Sequence, residues 1–280
     1  MPTFRRTGDT GNSPAGPVRS RRPWGVAGAS GRDAAVGVGR AFTADQQFED
    51  EIHLWNPRSR PEVFDDFLLG GHTFGNTTSL SAFATRTTGT PTGVAKTNAA
   101  ANGILTATLA ATNEAEFAGI DWANNEAVPM NRGWIFSCYV RVPVASAANQ
   151  DFIFGMITDY NATLASTTKY VWFRLSGASM TLNAESKDGA TTTLIANAAL
   201  NAYTFPTNSF VMLTIAARSQ LERNSGFAEF WVEDSLLGKT NIAAGVATDM
   251  LQPLIGVAKS TGTTAPTLDI DWARVTWDRF

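Results

Sequence analysis

This 280-residue chain is poor in cysteine, histidine and charge. Its one cysteine, Cys138, lies in an apolar alternating run. With no second thiol there is no internal disulfide, so stability does not rest on oxidative cross-links, and Cys138 reads as a small buried hydrophobe. The two histidines, His53 and His72, stand apart from Cys138 and from each other, away from ligand spacing, which argues against zinc. Charged residues make up 17% and the net charge is −3, a balance that disfavours wholesale nucleic-acid binding. No apolar run approaches the ~18 residues of a membrane span. The first 30 residues hold no continuous apolar h-region, so a secretory signal is not expected. A soluble protein made in the cytoplasm, staying there or leaving by assembly or lysis, is expected from these absences.

What is present is apolar and aromatic bulk, with 44% hydrophobic residues, 17 Phe and 8 Trp. That suffices for a sizeable core. Charge is uneven along the chain. Residues 1–40 carry seven arginines, no lysine, and only Asp9 and Asp33, a net +5; the remainder therefore carries −8. This first stretch is rich in Gly, Pro, Ser and Arg with no helical or strand period, so it cannot bury enough apolar surface to offset its ordering entropy. Residues 1–61 are expected to form an extended basic arm. A short helix at Ala44–Leu54, capped by Thr43, closes it before Asn56-Pro57 and Arg60-Pro61 break the pattern. Phe4, Trp24 and Phe42 are spaced along the arm like anchors. Arg5, Arg6, Arg19, Arg21 and Arg22 suit phosphate contacts or interface ion pairs; the absence of lysine favours a protein partner.

From Glu62 the pattern is β almost throughout. About thirteen short strands are expected, among them Val63–Leu68, Leu80–Arg86, Trp134–Val142, Phe227–Glu233, Leu254–Lys259 and Leu268–Trp277. Turn signals separate them, the strongest being Asp188-Gly189 between two alternating runs. This spacing predicts an all-β antiparallel sandwich over residues 62–280. In the closing stretch Thr267–Asp278, strict alternation places Leu268, Ile270 and Trp272 on one face and Asp269 and Asp271 on the other.

The opening Phe64-Asp65-Asp66-Phe67-Leu68 resembles the concanavalin A-like (lectin/glucanase) jelly roll. So does the closing series of Phe210–Ala217, Phe227–Glu233, Leu236-Leu237-Gly238 as a hairpin, Leu254–Lys259 and Ile270-Asp271-Trp272. The resemblance covers roughly Glu62–Phe280 and implies two curved antiparallel sheets. Together with the Thr/Ala-rich body and basic arm, it also resembles tailed-phage virion proteins. That implies a non-enzymatic decoration or cement protein of the capsid, expected in the virion as a cyclic homo-oligomer such as a trimer, since sandwich edges need covering and decoration proteins usually sit on symmetry axes. Its partner would be the major capsid protein or another virion subunit, contacted through Phe4, Arg5, Arg6, Arg19, Arg21, Arg22, Trp24 and Phe42.

Catalytic patterns are missing. Glucanases of this fold carry Glu-x-Asp-x-x-Glu, and no such run occurs. Glu229 and Glu233 share a strand face ~13 Å apart, beyond the 5–9.5 Å or so over which paired carboxyls cleave glycosides. Asp269 and Asp271, ~6.6 Å apart, approach that range or could share a calcium, yet acids on an outer strand face are ordinary. No nucleophile elbow or dinucleotide fingerprint is present. Neither a cofactor nor a metal is expected. Legume-type lectins hold calcium and sugar with Asp and Asn on loops. Asp121, Trp122 and Asn124 in one loop and Asp159 and Asn161 in another could do this, giving the alternative function of carbohydrate binding in a host-attachment module.

Overall fold

The computed structural model describes residues 61–67, 83–96, 103–130, 132–143, 149–161, 164–189, 192–195, 203–218, 227–241 and 249–278. The arm residues Phe4 to Phe42, the expected helix at Ala44–Leu54, and both histidines lie outside them.

Sixteen strands are described: β1 (Glu62–Asp65), β2 (Ala84–Thr88), β3 (Gly93–Lys96), β4 (Leu105–Thr108), β5 (Glu116–Asp121), β6 (Val128–Pro129), β7 (Trp134–Arg141), β8 (Gln150–Ile157), β9 (Lys169–Ser176), β10 (Thr181–Asp188), β11 (Thr192–Ile195), β12 (Val211–Arg218), β13 (Phe227–Val232), β14 (Ser235–Asn241), β15 (Met250–Lys259) and β16 (Thr267–Trp277). They form two antiparallel sheets. The first runs β14-β13-β12-β7-β16-β4-β3, with β1 also on β16; the second runs β11-β10-β9-β8-β15-β5-β2, with β6 on β15. The expected all-β sandwich is the observed architecture. No helix among the described residues is long and apolar enough to cross a membrane.

Alternation drives the first sheet. In β7, Trp134, Phe136, Cys138 and Val140 are buried while Ile135, Ser137, Tyr139 and Arg141 are half-buried on the other side. Leu213 and Ile215 of β12 and Leu105 and Ala107 of β4 join the same core, facing Phe152, Phe154, Val171 and Phe173 of the second sheet. Burial pushes the Cys138 thiol pKa up, as an apolar surrounding disfavours thiolate.

Two expectations are corrected. The hairpin placed at Leu236-Leu237-Gly238 turns earlier, at Glu233-Asp234; Leu236 to Gly238 belong to β14, since Val232 pairs with Ser235. In β16 the alternation breaks. Ile270 pairs with Val140, but the next pairing is Trp272 with Tyr139, so Asp271 is an extra, bulged residue. The bulge turns Trp272 to the outer face with Asp269, while Leu268, Ile270, Ala273 and Val275 stay in the core. A periodic reading cannot register an inserted residue, because the insertion is defined only against the partner strand.

Candidate functional site

The second sheet departs from alternation. β5 is buried along its whole length, and β8 and β15 nearly so. Strands that read this way are covered on both faces. The inner side belongs to the main core. On the outer side Phe117, Ile153, Ile157, Tyr170, Trp172 and Leu254 form a second cluster, against which Tyr160, Leu164 and Ala258 pack. Glycines make the room. A Cβ on Gly155 would meet Trp172 Cα at 2.5 Å, and one on Gly256 would meet Phe117 Cζ at 2.4 Å. The aromatic rings thus lie over strand positions that have no side chain. Tyr170 and Trp172 stack at 3.6 Å between centroids, and the Trp172 indole N–H donates to Glu185 Oε2 at 2.9 Å.

At one end of this face two loops meet. β5 ends at Asp121, and the chain turns through Ala123 (φ 55°) and Asn124 (φ 64°), the left-handed region that Asn tolerates better than most residues. Asp121, fully buried, accepts the Ala123 N–H on Oδ1 (2.8 Å) and Arg86 Nε on Oδ2 (2.7 Å). Such a charge-assisted pair fixes the guanidinium in place. Arg86 Nη2 then donates to Asn124 Oδ1 at 2.9 Å, and its Cζ lies 4.8 Å from the Tyr160 ring centroid. The Tyr160 hydroxyl shares a 2.6 Å hydrogen bond with Thr88. Burial raises the Tyr160 pKa, opposed by the Thr88 bond and the Arg86 charge.

Gln252 pins the two loops together. It is fully buried; its Oε1 accepts the Asn124 N–H (3.0 Å), and its Nε2 donates to Asn124 Oδ1 and to the Thr158 carbonyl (both 3.1 Å). Asp159 follows directly, exposed, as is Asn161. Glu126, from the first loop, has its pKa raised, chiefly by burial and then by a hydrogen bond to Asp159 and that residue's charge. The structure therefore brings Asp121, Asn124, Asp159 and Asn161 to one end of one sheet. Trp122 is separated from them. It is buried in the core, 6.2 Å from Phe83 and 6.0 Å from Trp277 between ring centroids. A ring placed there cannot present a face to a sugar.

Arg86, Gln252, Tyr160 and Glu126 were not singled out from the sequence. Gln252 carried a usable signal: a lone amide inside the apolar run Met-Leu-Gln-Pro-Leu-Ile is a buried polar group that must find partners. Arg86 carried none, since its partners lie 35 and 38 residues away.

Of the acids weighed as catalytic pairs, Glu229, Glu233 and Asp269 are engaged elsewhere. Burial pushes the Glu229 pKa up, but Lys239 and Arg218 outweigh it and leave it below the usual range. Glu233 accepts the Met212 N–H at 2.9 Å. Asp269 takes Arg141 Nε at 2.9 Å and the Thr106 hydroxyl at 2.7 Å, on the outer face of the first sheet. On the second sheet Arg174 joins Asp151 (2.7 Å) and Glu185 (3.7 Å). A glycosidase needs one carboxyl free to donate a proton across the scissile bond from the other; each of these is tied to a cation or an N–H. No group of three or more His, Cys, Asp or Glu able to hold a metal occurs among the described residues.

No family model matches the chain, and no curated protein matches it in sequence. Solved structures do match in fold. An endo-1,3-β-glucanase from Streptomyces sioyaensis aligns with TM-score 0.50 at 15% identity, over 80% of this chain and 98% of the other. The carbohydrate recognition domain of Emp47p aligns with TM-score 0.48 at 8% identity, over 79% and 98%. A botulinum neurotoxin type C structure, described as depending on two ganglioside molecules for cell entry, aligns with TM-score 0.47 at 10% identity, over 78% and 47%. At such identities the glucanase match speaks to fold alone, and the fold is the concanavalin A-like jelly roll. The fold match does not decide between an enzyme and a binding domain.

Proposed function

We propose that this concanavalin A-like sandwich is a non-hydrolytic carbohydrate-binding module, and that its sugar site is the loop junction at Arg86, Asn124 and Tyr160. The observation that carries the reading is the Gln252 pin. It holds two Asn/Asp-bearing loops in one arrangement while Asn124 keeps its amide N–H₂ group, and Asn125 its Oδ1, without a partner among the described residues. Preorganised amide and guanidinium groups beside an aromatic ring are what hydroxyl recognition requires. Glycan-array screening followed by titration calorimetry tests it. Binding is expected for the intact chain and at least tenfold weaker for Asn124→Ala and Arg86→Ala. Binding indifferent to both substitutions, or no glycan bound at all, would overturn the reading.

A second reading rests on the charge division, +5 in residues 1–40 against −8 in the rest. In it the chain is a virion decoration or cement protein, with residues 1–61 tethering the 62–280 domain to a capsid subunit, and sugar capture as its outward task. Ordering an arm against several neighbours adds attachment by effective concentration. Deleting residues 1–40 separates the roles: attachment to particles is expected to vanish while glycan binding survives.

A further inference from the structure

The start of β5, at the other end of that strand from Asp121, is organised around one ammonium group. Lys259 closes β15 in register with Glu116, the first residue of β5. Both side chains are fully buried, and the ammonium lies 3.4 Å from Glu116 Oε2. Its other protons go to the chain between β4 and β5. Lys259 Nζ donates to the Ala110 carbonyl at 2.5 Å and to the Thr112 carbonyl at 2.6 Å. Three donors meet three oxygens. Glu116 draws the same segment in, accepting the Ala110 N–H at 2.8 Å and the Thr112 hydroxyl. That segment carries its neighbours with it. Asn113 Oδ1 accepts the Gly262 N–H at 2.7 Å, and Glu114 Oε1 accepts the Thr90 N–H at 3.2 Å. The loops after β2, β4 and β15 are thus tied to one buried charge.

We infer that the Ala110 and Thr112 carbonyls and the Glu116 carboxylate form a cation-binding site. The chain fills it with its own Lys259, and the site takes a small monovalent cation once that side chain is removed. Backbone carbonyls and carboxylate oxygens are the ligands that hard cations prefer. Here the carbonyls of two alternate residues converge on the spot where the carboxylate points. An empty site would leave the carboxylate buried without a counter-charge, which is costly. Charge sets the class of ion. Glu116 supplies a single negative charge, while Glu114 is engaged by Thr90. One ammonium balances that charge, whereas a divalent ion would leave an excess positive charge in the interior. The inference is independent of the sugar-binding reading.

The test is chemical rescue in the full chain. Lys259→Ala vacates the ammonium and its methylenes, whereas Lys259→Met removes the charge and keeps the hole plugged. Each variant is melted beside wild type in equal concentrations of tetramethylammonium, ammonium or propylammonium chloride, and the gap to wild type is read in the same salt. In tetramethylammonium, too bulky for the site, both variants are expected to melt about 10 °C below wild type. In ammonium or propylammonium the gap for Lys259→Ala should at least halve, along a saturating concentration curve. The gap for Lys259→Met should stay. An alanine variant as stable as wild type in tetramethylammonium would overturn the inference. So would a gap that is the same in all three salts, equal recovery of both variants, or an alanine variant unfolded in every salt.

Discussion

The two outer faces of the sandwich are built on opposite plans. On the first sheet the outward side chains are charged or half-exposed: Asp269 with Arg141, Glu229 with Lys239 and Arg218, Glu62 with Arg274. An aromatic row, from Phe210 just before β12 through Tyr139 and Trp272 to Phe64 on the neighbouring strands β7, β16 and β1, runs at 5.1 to 6.2 Å between centroids and ends in Phe64, 50% exposed. On the second sheet a patch of outward side chains, Phe117, Ile153, Ile157, Tyr170, Trp172 and Leu254, is buried with Tyr160 and Leu164 packed against it, and the charged pairs of Arg174 with Asp151 and Glu185 are also on this sheet. One sheet therefore has a single core, and the other lies between two. The lesson concerns stability: the apolar cluster on the outer face of the second sheet should behave as core, whereas the outer face of the first rests on ion pairs and partly exposed rings.

The sharpest way to break that comparison is Trp172→Ala. If the outer cluster is a real second core, the loss should be about 3–5 kcal/mol by urea unfolding, the cost of emptying a buried aromatic site. A loss under 1 kcal/mol would make the face ordinary surface. Next, Gly155→Val forces a side chain against Trp172 and the Val171 carbonyl, 2.4 Å from an ideal Cβ, and should cost about 1–3 kcal/mol. On the first sheet, Asp269→Ala removes the carboxylate that the Thr106 hydroxyl and Arg141 bond to and should cost about 1–2 kcal/mol. Glu126 sharpens the junction through pH. Its folded pKa lies above the unfolded one, so its contribution is complete at low pH and is lost as pH rises through the raised value. Melting temperatures taken from about pH 4 to pH 8 should therefore converge for wild type and Glu126→Gln at the acid end, with the variant more stable at the neutral end. The smallest effect belongs to Phe64→Ser, expected within about 0.5 kcal/mol of wild type.

How far these features were legible differs strand by strand. β7 was legible because Trp-Ile-Phe-Ser-Cys-Tyr-Val-Arg alternates and is buried on one side only. The hairpin at Asp188-Gly189 was legible because β10 and β11 pair around it, with Gly189 at φ 104°. β15 was seen only from Leu254, four residues late, because Gln252 and Pro253 interrupt the apolar signal. β3 and β6, four and two residues long, fall below what periodicity can register. The loops with Asp121, Asn124, Asp159 and Asn161 were legible as Asn/Asp turns, but their meeting was not. Nothing near Asn124 announces Gln252, 128 residues on.

By itself the amino-acid sequence determined the class of fold: alternating apolar strands, turn residues between them, and enough Phe and Trp to fill the space between two sheets. It also determined that no familiar acid pair or nucleophile pattern runs along a strand. Only the tertiary structure decided which side Trp272 faces, which loops share an end of a sheet, and that one sheet is buried twice. The reason is physical. Periodicity is a property of neighbours along the chain, whereas a bulge, a buried amide and a second core exist only between strands that the chain brings together from far apart.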